Sequence, residues 1–96
     1  MPLHIAMESQ QGRAPACALS FDALQQLEPA FALLRQKTGV RLSEYDDTVL
    51  HPSHAQLLAD AIDRIAAAPM AAEAAAFHAV LKQAAASGRL LYCEGE

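Results

Sequence analysis

Residues 39 to 54, GVRLSEYDDTVLHPSH, gather more reactive side chains than any other part of the chain. Glu44, Asp46 and Asp47 supply carboxylates, Tyr45 a phenol, and His51 and His54 two imidazoles. Paired carboxylates can run general acid–base chemistry when burial separates their pKa values. Asp46 and Asp47 are neighbours, however, which turns their side chains in different directions. One of them, or Thr48, is better placed to hydrogen-bond loop amides in an Asx or ST turn. His51 and His54 stand three residues apart at a helix start, and a metal there would need Asp46, Asp47 or His78 as well. No H-E-x-x-H or comparable ligand series is present. The histidines therefore read as surface residues beside a helix N-terminus, and no metal or other cofactor is expected.

Cys17, or any serine, could act as a nucleophile with a histidine base. No strand–elbow–helix signature, G-x-S-x-G or glycine-rich phosphate loop accompanies them. Four glycines in the whole chain make nucleotide cradling an unpromising use of this sequence. No catalytic residue is assigned, and the chain is not read as an enzyme.

The elements that must position these groups follow from periodicity. Leu3, Ile5 and Met7 alternate with His4, Ala6 and Glu8, the period of a half-buried strand. SQQG, residues 9–12, turns the chain, and 14–19 returns as a second strand with Pro15 tolerated at an edge. Ser20 is a candidate N-cap with Asp22 in the first turn. Leu24, Leu27, Phe31 and Leu34 then share one helical face up to Gly39, a C′ stop. Pro29 within that pattern either kinks one helix or opens a second. Val40, Leu42, Val49 and Leu50 anchor a connection.

Pro52 and Ser53 begin the next helix, with Ser53 and Gln56 matching a capping box. Leu58, Ile62 and Ile65 form its apolar stripe, and Asp60 with Arg64 forms an i,i+4 pair outside. Pro69 ends it. A third helix covers about 70–87, with Met70, Ala74, Phe77, Leu81 and Ala84 on one face and His78 at the boundary near Lys82. Residues 89–94 form a last strand that joins the hairpin. The expected fold is α+β: an N-terminal β-hairpin and a C-terminal strand in a small antiparallel sheet, packed with three α-helices, all in one domain over 1–96.

Hydrophobic residues make up 53% of the chain, but 22 of them are alanine and 13 leucine, so the helices must pack closely around a thin leucine core. A net charge of −4 lacks the basic face that nucleic-acid binding wants. No apolar run approaches the ~20 residues that span a bilayer, and the start lacks a basic n-region before an apolar stretch. The expected setting is thus cytoplasmic, without nucleic acid or membrane. Cys17 and Cys93 read there as free buried thiols, a disulfide being the other reading.

The segment KTGVRLSEYDDTVLHPSHAQLLADAI resembles small bacterial immunity proteins of contact-dependent toxin systems. In those, a helix ends in Thr-Gly, an aspartate–tyrosine turn follows, and a Gly-Asp-Thr-x-Leu element leads to a leucine-rich helix. Thr38, Gly39, Tyr45, Asp47, Thr48, Leu50 and Leu57 match, and GRLLYCEGE resembles the closing strand. Ser43-Glu44 stands where the pattern has Asp-Pro, and Asp46 where it has glycine, which leaves the turn geometry open. The resemblance implies a non-enzymatic binding module that neutralises a cognate toxin. Glu44, Asp46 and Asp47 would then supply charge and Tyr45 an aromatic anchor for the partner. A structural or regulatory homo-oligomeric adaptor is the alternative, since alanine-rich helices and a spare sheet edge could both pair between copies as a homodimer.

Overall fold

A computed structural model of the chain describes residues 3–42, 47–65 and 72–95. Among them the order is β1 (Leu3–Ser9), β2 (Gly12–Leu19), α1 (Phe21–Thr38), β3 (Thr48–Leu50), α2 (Pro52–Ile65), α3 (Ala72–Ser87) and β4 (Leu91–Glu94). The fold is α+β, with an N-terminal hairpin and a C-terminal strand as the sequence suggested. The sheet has four strands rather than three, all antiparallel, in the order β2-β1-β4-β3. β3 is the addition: three residues of the expected connection pair with β4, Val49 opposite Tyr92 and Leu50 opposite Leu91.

The pleat sorts the sheet residues cleanly. Leu3, Ile5 and Met7 of β1, Leu19 of β2, Leu50 of β3, and Leu91 and Cys93 of β4 point to one face and are buried. The helices close that face with Leu27, Phe31 and Leu34 from α1, Leu58 and Ile62 from α2, and Phe77 and Leu81 from α3. Phe31 and Phe77 meet edge-to-face at 6.3 Å, a favoured aromatic geometry. Fully buried Ala30, Ala59, Ala74 and Ala84 allow the helices to approach closely, as the alanine content requires. Met70 and Pro69 lie outside the described residues.

α1 runs unbroken through Pro29. The ring sits on the exposed side, so the carbonyl it deprives of a partner faces water rather than the core. Thr38 and Gly39 finish the helix: the Thr38 hydroxyl donates to the Leu34 carbonyl at 2.7 Å, and Gly39, at φ 80°, donates its N–H to the Arg35 carbonyl.

The N-terminus of α1 is tied across the structure. Ser20 Oγ accepts the Ala23 N–H as an N-cap does, while the Ser20 N–H donates to Glu73 Oε1 at 2.8 Å in the first turn of α3. One carboxylate therefore serves two helix starts. Hydrogen bonds from Ser20, its hydroxyl first and its backbone N–H second, hold the Glu73 carboxyl below the usual 4.5. A depressed carboxyl pKa contributes stability above the unfolded value and loses it as pH falls through the folded one. Chemical unfolding of the wild type should thus weaken below about pH 4.5, and Glu73→Gln should flatten that part of the curve; identical acid limbs in both proteins would refute the tie.

Candidate functional site

Of the four expected partner-binding residues, Glu44, Tyr45 and Asp46 lie outside the described residues. Asp47 is described and exposed, and its Oδ1 accepts the Gly95 N–H at 3.1 Å. The expected Asx or ST turn through the amides of residues 43–46 lies outside the described residues. Asp47 reaches the end of the last strand, and the Thr48 hydroxyl donates to the Arg41 carbonyl at 2.9 Å. The C-terminal side of the acidic segment is thereby fastened to the corner where β3 and β4 pair.

That corner adjoins the sheet face turned away from the helices. Pairing aligns Val49, Tyr92, Ala6 and Pro15 in one row across all four strands. Val49, expected as an apolar anchor, is 42% exposed because it has the opposite parity to buried Leu50. Arg13 crosses this face with its guanidinium 4.0 Å above the Tyr92 ring and 2.7 Å from Glu94 Oε1. Stacking and an exposed ion pair of this kind contribute modestly, yet together they fix the direction of a long side chain. The row could have been read from the alternation in LYCE, residues 91–94, once the partner strands were known. Sequence alone did not supply those partners.

The two histidines have a structural task. α2 begins at Pro52 rather than at a Ser53 cap, so His51 is the N-cap; its carbonyl accepts the Ala55 N–H at 2.9 Å. His54 Nδ1 accepts the His51 N–H at 3.3 Å, doing with an imidazole what glutamate does in a capping box. The rings meet edge-to-face, 5.5 Å between centroids. Gln56, freed from the expected box, donates Nε2 to Asp60 Oδ1 at 2.9 Å, and Asp60 has that bond in place of the expected pairing with Arg64.

His78 is half-buried at the boundary, as expected. Its Nε2 stands 2.9 Å from Asp63 Oδ1, linking α3 to α2. Close as the two atoms are, Nε2 makes no formed hydrogen bond there. Among the described residues, no three of His, Cys, Asp and Glu come close enough to share a metal ion.

Cys17 and Cys93 are free. Both pair with Ile5, one from each side, so they share a row two strand spacings apart. That is roughly 9.5 Å between Cα atoms, beyond the ~6.8 Å a disulfide spans. Burial, then the Glu73 carboxylate, pushes the Cys17 thiol up to about 11; burial, then Cys17, pushes Cys93 to about 12. Neither is a ready thiolate.

Two outcomes follow from these contacts. His54→Ala should cost about 1 kcal/mol of unfolding free energy and His54→Glu should restore it; equal stability of all three proteins would remove the imidazole cap. A thiol reagent at pH 8 should label the native protein slowly, and Cys93 more slowly than Cys17. Cys17 is half-buried rather than buried as expected, so unfolding should expose both thiols fully, whereas rapid native labelling of Cys93 would contradict its burial.

Compared with protein-family models, with curated proteins and with solved structures, the chain matches none. The functional reading stands on its own residues.

Proposed function

We propose that the chain is a non-enzymatic protein-binding module, an immunity-type inhibitor that neutralises a cognate bacterial toxin in the cytoplasm. The observation that carries this reading is the Asp47–Gly95 contact. It fixes Asp47, the residue that follows Glu44-Tyr45-Asp46 in sequence, beside the end of β4, and a fixed neighbour lowers the ordering cost of association. Exposed Val49 and stacked Tyr92 lie on the same corner of the sheet, an apolar patch beside carboxylates. Aromatic centres with a charged rim are the usual anatomy of protein interfaces. A net charge of −4 suits a basic partner, such as a toxin whose cleft binds phosphates.

The uncovered row across the sheet also favours a second reading, a homo-oligomeric adaptor that buries this face against another copy. Light scattering separates the two: a strict monomer at high concentration removes the adaptor.

Co-expression with the product of the neighbouring open reading frame tests the proposal. The chain should protect cells from that product and co-purify with it; a harmless neighbour, or no protection, ends the toxin reading. Within such a complex, alanine at Glu44, Tyr45 and Asp46 together should weaken affinity by about 30-fold or more, the size of a hot-spot loss. Its melting temperature should not move. Unchanged affinity would place the interface elsewhere.

A further inference from the structure

The first turn of α2 depends on the protonation state of one side chain. His54 Nδ1 accepts the His51 N–H at 3.3 Å, and the His51 carbonyl accepts the Ala55 N–H at 2.9 Å. A ring nitrogen that accepts a hydrogen bond carries no proton, so the capped turn holds His54 uncharged, with its hydrogen on Nε2. A carboxylate or amide in the same capping role stays an acceptor at neutral and mildly acid pH. Histidine is the side chain whose ordinary charge change falls between about pH 5 and 8.

Proton uptake at Nδ1 sets one N–H against another and ends the hydrogen bond. Two further effects have the same sign. The new charge stands in the first turn, where the helix dipole disfavours cations. It also stands beside a second imidazole, 5.5 Å away between ring centroids, whose own protonation adds like-charge repulsion. The open turn accepts a proton that the capped turn excludes, so acid favours opening. Charges on the neighbouring elements do not reverse that sign. α1 brings Lys37 toward α2, beside Leu57 and Asp60, and α3 brings His78, which stands against Asp63. β3 carries no charged side chain, and Asp47 before it is turned to Gly95. Among the described residues, no carboxylate lies within 4.0 Å of the His51 or His54 ring nitrogens.

We propose that the His51–His54 pair is an acid-sensitive latch at the junction of β3 and α2: proton uptake at His54 releases the His51 N–H and frays the first turn of the helix. The latch is independent of the toxin reading, since it uses none of the residues of the acidic corner.

Ring-nitrogen chemical shifts and amide hydrogen exchange of the whole chain, followed from about pH 7.5 to about pH 5.5, test it. At the upper pH the His54 ring should carry its hydrogen on Nε2. The Ala55 amide, corrected for the intrinsic pH dependence of exchange, should lose protection by about fivefold across the range, the worth of one cap. His54→Gln offers the His51 N–H an acceptor that does not titrate, so its Ala55 protection should stay constant. Hydrogen on Nδ1 at the upper pH, constant protection in the wild type, or an equal loss in His54→Gln would each overturn the proposal. The ring measurement needs only the wild type, so it decides even where the variant fails to fold.

Discussion

Leu91 to Glu94, near the C-terminal end of the sequence, fit between a strand from its beginning and one from its middle, and most of the remaining structure is conditional on that pairing. β4 bonds β1 on one side and β3 on the other, so its backbone groups are satisfied only when both neighbours are present. Leu91 and Cys93 turn inward and are sealed, while Tyr92 and Glu94 turn outward to meet Arg13. The junction is reinforced at both ends. Glu8 exchanges bonds with Leu90 through its N–H and its carboxylate, and Asp47 holds Gly95. Three residues of β3 would not persist as an isolated strand; they exist because β4 offers them an edge.

The second constraint is the supply of large apolar side chains. With alanine providing so much of the hydrophobic content, one sheet face receives nearly all of the leucine, isoleucine and phenylalanine. The other face is left with the row from Val49 to Pro15, which no helix among the described residues covers. A thin core makes each member costly to lose: truncating a buried phenylalanine such as Phe77 removes ~3–5 kcal/mol from a domain whose total is of similar order.

Elements with a long period were legible in the sequence. The hairpin, the Ser20 cap, the Gly39 stop and the buried stripe from Ala74 to Ala84 follow from alternation, capping chemistry and 3.6-residue spacing. β3 was not legible, because three residues carry no period and its pairing depends on a strand more than forty residues later. The start of α2 was misplaced by one cap: Ser53 and Gln56 have the right types for a capping box, but Pro52 at the first helical position makes His51 the cap and lets an imidazole replace the expected carboxylate. Asp47 was legible as a loop tie in kind but not in reach, since its acceptor role is filled by a backbone amide distant in sequence. For the candidate site, the acidic segment is visible in the sequence alone, and only its anchored end is described in three dimensions.

If β4 holds the sheet together, its amides cannot open separately from the domain. Native-state hydrogen exchange measures this directly. The account predicts that the hydrogen-bonded amides of Leu91 to Glu94 exchange with the same free energy as those of Leu3 to Met7, equal to the free energy of global unfolding. Exchange of the β4 amides through a separate opening several kcal/mol lower, with β1 still protected, would contradict it.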